Sequence, residues 1–208
     1  LTVGKHVEYL LFGITGSGKT EVYIEACQQA IQRGKRVIVL VPEIALTRQL
    51  VDIFSHRIAD IAVLHSAMSA GERYAEWKRI KRGEVKLVLG PRSAIFAPLP
   101  DIGLIIMDEE QENSYKQEET PRYHARDIAR QRARMTEAVL LLGTATPALE
   151  SYYRTTTGDA QLLTLARRTG GAAIPTIVIE DMRKSFKSGY PGMLSRYLQE
   201  RIEQVLCR

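Results

Sequence analysis

The sequence predicts an α/β fold: a P-loop parallel sheet flanked by helices in three layers, followed by the beginning of a second lobe. Three observations carry this. Short runs rich in Val, Ile and Leu alternate with helical patterns through residues 1–165, as in chains that wind a parallel sheet. The runs are continuously apolar, which suits strands covered on both faces. A glycine-rich pattern, GITGSGKT from Gly13 to Thr20, joins the first run to the first helix, the context a phosphate loop requires.

In chain order, the expected strands are YLLFG (9–13), RVIVLV (36–41), IAVLH (61–65), VKLVLG (85–90), LIIMD (104–108) and AVLLLG (138–143). KTEVYIEACQQAIQR reads as a helix stopped by Gly34, the usual left-handed residue past a C-terminus. SAGERYAEWKRIKRG opens with Ser69 and carries Glu72 three residues on, a capping box, and ends at Gly83. After residue 165, ARRTGGAAIP reads as a linker. One strand-like run, TIVIE, and one helix-like run, LSRYLQERIEQVL, follow. Two such elements cannot enclose a core, so 166–208 is expected to be a linker and the start of a second lobe, or a C-terminal extension. The chain is expected to be a fragment of a longer protein.

The 208 residues are 45% hydrophobic and 25% charged, ordinary for a globular domain. No apolar run approaches the roughly 20 residues that cross a bilayer, so no membrane partner is expected. Cys27 and Cys207 are the only cysteines. They lack metal-binding spacing and suit a reducing cytoplasm better than a disulfide scaffold. A formal charge of +5 permits nucleic-acid binding without requiring it.

The chemistry is concentrated at two places. Gly13, Thr15, Gly16, Ser17, Gly18, Lys19 and Thr20 form the candidate nucleoside-triphosphate cradle. Glycines let backbone N–H groups converge on phosphate oxygens, and the helix N-terminus adds partial positive charge. Lys19 is expected to reach the β- and γ-phosphates and the Thr20 hydroxyl to ligate Mg²⁺. The second place is MDEEQ, where three carboxylates follow a strand without a spacer. Asp108 at the strand end is the expected second magnesium ligand. Glu109 is the expected general base for the attacking water; Glu110 has no assigned role.

MDEEQ resembles the DEAH/DEEH box of superfamily 2 helicases, and LLGTATPALES is similar to their third motif. GITGSGKTEVY, VLVPEIALT, LHSAMSAGERYAEW, GPRSAIFAPL, SYKQEETPRYHARDIARQRA and IVIEDMR resemble, in order, segments of the PriA-like family of primosomal replication-restart DNA helicases. The likeness covers nearly the whole chain. It implies a RecA-like first helicase lobe over residues 1–165, working as a 3′-to-5′ ATP-dependent motor on single-stranded and forked DNA, with primosome and single-strand-binding proteins as partners. It also implies a second lobe with an arginine finger and a zinc-binding segment beyond Arg208, so the 208 residues alone are expected to hydrolyse little ATP. By the same resemblance Gly143, Thr144, Ala145 and Thr146 couple nucleotide state to lobe movement. Gln111 stands where the family places a coupling histidine, and Pro91 where it places threonine.

A helicase lobe follows a strand mainly through its phosphates. Thr47, His65, Ser66, Arg92 and Ser93, which follow successive strands, are the candidates. Tyr115, Tyr123 and His124 are expected to stack on bases, with Lys116, Arg122 and Arg126 supplying charge. The resemblance makes this segment a DNA-sensing aromatic-rich loop. Arg130, Arg132 and Arg134 read as a solvated basic helix face, and Trp77 as packing. Two other classes stay open: a P-loop kinase with the Arg-rich segment as a lid, and a non-catalytic nucleic-acid-binding or assembly module.

Overall fold

The computed structural model describes residues 6–169, 176–187 and 192–207, with 184–186 by backbone alone. It divides into two units, Leu1–Ala172 and Ala173–Arg208.

The first unit is built on a seven-stranded sheet in the order β3-β4-β2-β5-β8-β1-β9. Its strands are β1 (Val7–Gly13), β2 (Arg36–Leu40), β3 (Ile61–Val63), β4 (Leu87–Gly90), β5 (Ile102–Met107), β8 (Val139–Thr144) and β9 (Gln161–Leu165), all paired in parallel. A short antiparallel hairpin, β6 (Lys116–Gln117) and β7 (Tyr123–His124), lies between β5 and β8 in sequence.

The helices are α1 (Lys19–Gln32), α2 (Arg48–Arg57), α3 (Ala70–Lys81), α4 (Ala125–Met135) and α5 (Leu149–Thr156). Alternate strand residues face opposite layers. Ile38, Leu40, Ile105, Met107, Leu140 and Leu142 pack with α4. Val37, Val39, Leu104, Ile106 and Leu141 pack with α1 and Phe54 of α2. Ala125, Ala129 and Ala133 line the buried stripe of α4; their small side chains bring that helix close to the sheet.

Six strands match the six apolar runs, and α1 and α3 follow the expected helices. Gly34 and Gly83 have positive φ (75° and 74°), and the Ser69–Glu72 capping box is formed. The sequence reading lacks β9. That edge strand pairs with β1 alone, and its side chains are largely exposed, so it carries little burial signal. The expected strand TIVIE is corrected: residues 176–180 are exposed and form no ladder. The second unit holds α6 (Met182–Lys187) and α7 (Arg196–Leu206). The latter is the expected helix, capped by the Ser195 hydroxyl. Residues 170–175 of the expected linker lie outside the described residues. Among the described residues no helix is long and apolar enough to cross a membrane.

Candidate nucleotide and nucleic-acid site

At the carboxyl end of β1 the chain turns through Gly16 and Gly18, both at positive φ (78° and 87°). Gly18 is the N-cap of α1 and supplies no side-chain acceptor, so the first-turn N–H groups open onto the loop. The Ser17 hydroxyl is buried inside this turn without a hydrogen-bond partner, an orphan of the kind that calls for a ligand. A Cβ at Gly13 would come within 2.5 Å of that oxygen. Lys19 Nζ donates to the Gly13 carbonyl at 2.9 Å and lies 3.9 Å from the Glu109 carboxylate. Thr169, unmarked in the sequence reading, donates to the Gly16 carbonyl from both its N–H and its hydroxyl, each at 2.9 Å.

The acid run sits across β8 from this loop. Asp108 N–H donates to the Leu40 carbonyl, and the Tyr23 hydroxyl donates to Asp108 Oδ1 at 2.7 Å. Burial raises the Asp108 pKa above the usual carboxylate range, and the Glu109 charge adds to this. The Tyr23 hydrogen bond and Lys19 oppose it. Glu109 occupies the left-handed region (φ 47°), a strained setting for a non-glycine residue and one that clusters at functional sites. Its carboxylate accepts from Gln111 Nε2 at 2.9 Å. Gln111 Oε1 accepts from the Thr144 hydroxyl at 2.6 Å, which itself accepts from Thr146 N–H at 2.9 Å. Gln111 thus bridges the acid run to GTATP with both ends of one amide. A Cβ at Gly143 would fall 1.7 Å from the Tyr23 hydroxyl, so only glycine leaves room for the Tyr23–Asp108 contact.

Glu110 faces the other way. It is 0% exposed. It accepts from Arg126 NH1 at 2.6 Å, the Ser151 hydroxyl at 2.9 Å and Ala148 N–H at 2.8 Å. This assigns the third carboxylate: it fastens the acid run to the starts of α4 and α5. The crowded acids are therefore shared out, Glu109 to Lys19 and Glu110 to Arg126. Asp108 and Thr20 supply hard oxygen donors that suit Mg²⁺. Among the described residues no cluster of three or more His, Cys, Asp and Glu could hold a metal ion.

Two expected DNA contacts, Tyr115 and Arg126, and two arginines expected to be solvated, Arg130 and Arg132, are corrected. Tyr115 is buried and donates to the Asp108 carbonyl at 2.7 Å, so it cannot stack on a base. Arg126 is 11% exposed and committed to Glu110. Arg130 makes a bidentate contact with Glu8, itself buried on β1, and Arg132 donates to the carbonyls of Ile95 and Ala97; only Arg134 is solvated as expected. Thr47 stays exposed; its hydroxyl accepts from Leu50 N–H to cap α2 and keeps its own proton to donate. His124 caps α4 by accepting from Arg126 N–H at Nδ1 and stays half-buried beside the hairpin.

Lys116 and Arg122 remain exposed on the hairpin. His65, Ser66, Arg92, Ser93 and Tyr123 come together around one groove. Arg92 also anchors the hairpin, donating to the carbonyls of Ser114 and Lys116. Trp77 faces the same groove, 41% exposed, rather than serving as packing; Ile80 is the one buried residue of α3.

Residues 4–155 match the family described as DEAD/DEAH box helicase. The chain is 47% identical over 205 residues to the replication restart protein PriA of Bacillus subtilis, covering 98% of this chain and 26% of that protein. It is 45% identical over 207 residues to the PriA of Synechocystis, covering 97% and 25%. The chain thus spans about a quarter of the length of these relatives. Among solved structures, the Pyrococcus furiosus Hef helicase domain superposes with a TM-score of 0.58 at 20% identity, over 79% of this chain and 36% of that one. RecG bound to a three-way DNA junction superposes with a TM-score of 0.57 at 23% identity, over 79% and 21%. These two likenesses concern the fold.

Proposed function

The chain belongs to the DEAD/DEAH box helicase family, and from that premise we propose that it is the nucleotide-binding lobe, residues 1–165, of an ATP-driven DNA helicase of the replication-restart type. The observation that carries this reading is the unbroken chain of side chains from phosphate loop to GTATP. It runs from Lys19 to Glu109 at 3.9 Å, on to Gln111 at 2.9 Å and to Thr144 at 2.6 Å.

In this mechanism Lys19 leaves the Gly13 carbonyl for the terminal phosphates, and the loop N–H groups hold the remaining oxygens. Thr20 and Asp108 would hold Mg²⁺, which when bound offsets the charge of the phosphates. Glu109 takes the proton of the attacking water. Gln111 holds Glu109 in place and ties its position to Thr144. A glutamine amide can donate and accept at once but stays neutral near pH 7, so this link works without a titrating group. His65, Ser66, Arg92 and Ser93 track the strand, joined by Lys116, Arg122 and Tyr123 of the hairpin.

The names of the matched relatives support work at replication restart. The proposal extends, on the family resemblance of the motifs, to movement 3′ to 5′ on single-stranded and forked DNA in the cytoplasm, with primosome and single-strand-binding partners. DNA-stimulated ATPase of the full-length protein tests the reading. Lys19→Ala and Glu109→Gln should each lower turnover by roughly 100-fold or more, Glu109→Gln without loss of nucleotide binding. Replication-restart activity left intact in Lys19→Ala despite the loss of ATPase would turn the reading to a non-catalytic assembly module; phosphorylation of a small acceptor would turn it to a kinase.

A further inference from the structure

On the β3–β4 side of the sheet's carboxyl rim lies a cavity of about 470 Å³ between α3, the turn Arg92–Phe96 and the hairpin, with Trp77, Phe96 and Tyr123 in its walls. Trp77 and Phe96 are 41% and 54% exposed, so neither is spent on the core. Large solvated aromatics gathered on one cavity mark a binding surface.

These side chains are also held in place before any ligand arrives. Tyr123 meets Phe96 edge-on at 5.2 Å between ring centres, and the Arg92 guanidinium lies 5.9 Å from the Tyr123 ring. Arg132 ties down the turn that carries Phe96 through the carbonyls on either side of it. Trp77 lies nearly parallel to Tyr74 at 6.4 Å, with Lys81 Nζ 4.9 Å from its ring. Walls preset in this way lose little freedom on binding.

The ligand chemistry follows from what surrounds the rings. Arg73, Arg92, His65 and Ser66 stand around the cavity against a single carboxylate, Glu43. Aromatic walls under a cationic, hydrogen-bonding rim suit a flat heterocycle attached to an anionic backbone; an apolar peptide or acyl chain would strand the rim groups.

We propose that this cavity is a nucleobase pocket, which takes one unpaired base of a DNA strand between Trp77 and Phe96 while the flanking phosphates lie along the Arg73–Arg92 rim. The proposal rests on the strand-binding reading above and adds a hold on the base to the hold on the backbone. Stacking accepts any base, because each has a π-face, so the pocket grips without reading sequence. It also gives the strand a fixed register, since a base must leave before the next can enter.

Trp77 is the only tryptophan of the chain, so its emission reports the pocket directly. The 208-residue chain is titrated with oligothymidylate and with an abasic tetrahydrofuran strand of equal length and charge. Oligothymidylate should quench Trp77 and bind roughly tenfold more tightly than the abasic strand. Trp77→Ala and Phe96→Ala, followed by anisotropy of labelled strands, should each lose most of that preference. Both should keep the abasic affinity, which shows an intact fold, and Trp77→Phe should restore the preference. Equal affinities for the two strands in the unaltered chain overturn the pocket and leave backbone tracking standing. So does a preference that survives both alanine variants. Absence of salt-dependent binding to either strand overturns the pocket together with the reading beneath it.

Discussion

Along the acid run, polar side chains are paired: Tyr23 with Asp108, Gln111 with Glu109 and Thr144, Glu110 with Arg126 and Ser151. Toward the β3 edge of the same rim, the structure instead leaves Trp77 and Phe96 open to solvent. In the first region the groups proposed to do the chemistry also hold the fold together, so a substitution there should disturb both. The second keeps its working side chains apart from the core, so a substitution there can disturb binding alone.

The hardest test of that contrast is Arg126→Ala. It strands the fully buried Glu110 without its cation and should cost about 3–5 kcal/mol in urea unfolding. Trp77→Ala and Phe96→Ala should stay within about 0.5 kcal/mol in the same assay. A cost below about 1 kcal/mol for Arg126→Ala would erase the difference between the two regions. Next comes Gly143→Ala, whose new methyl must displace the Tyr23 hydroxyl. We expect a loss of roughly 1–3 kcal/mol, partly recovered in the double variant with Tyr23→Phe. No recovery would show that the crowding lies elsewhere.

The smallest effect concerns His124, which ends the hairpin and caps α4. Burial and then the Arg126 charge hold its imidazole below the ordinary range, Arg130 adding to this while Asp127 and Glu110 pull upward. The folded protein therefore prefers the neutral ring. The stabilisation is in place above the unfolded pKa of about 6.5 and is lost as pH falls below it. His124→Asn keeps a capping acceptor and removes the titration. Acidification from about pH 7.5 to 5.5 should therefore lower the protection of the Arg126 amide, relative to its intrinsic exchange rate at each pH, in the unaltered protein and leave that of the variant unchanged.

The sequence made legible whatever depends on local spacing. The phosphate loop is eight adjacent residues between strand and helix, the capping box needs only Ser69 and Glu72, and the apolar runs mark six strands of the sheet. What stayed hidden depends on partners distant in the chain. Glu110 meets Arg126 across a hairpin, and Arg130 meets Glu8 across 122 residues, so Arg126 reads as a DNA contact and Arg130 as solvated charge. Tyr115 stands in a polar run, and nothing local says that its ring is swallowed beneath Asp108. Thr169 lies in a Gly- and Arg-rich stretch that looks like a tether, although it holds Gly16 twice.

One helix serves both regions. Within two turns α4 sends Arg126 to the acid run, Arg130 to the root of β1 and Arg132 to the turn under Phe96. For protein engineering this makes α4 the chassis and the groove its interchangeable fitting. On the readings proposed above, Trp77 and Phe96 could be re-lined to suit another ligand without touching the acid run. A graft that replaces α4 would instead have to re-solder three separate connections at once.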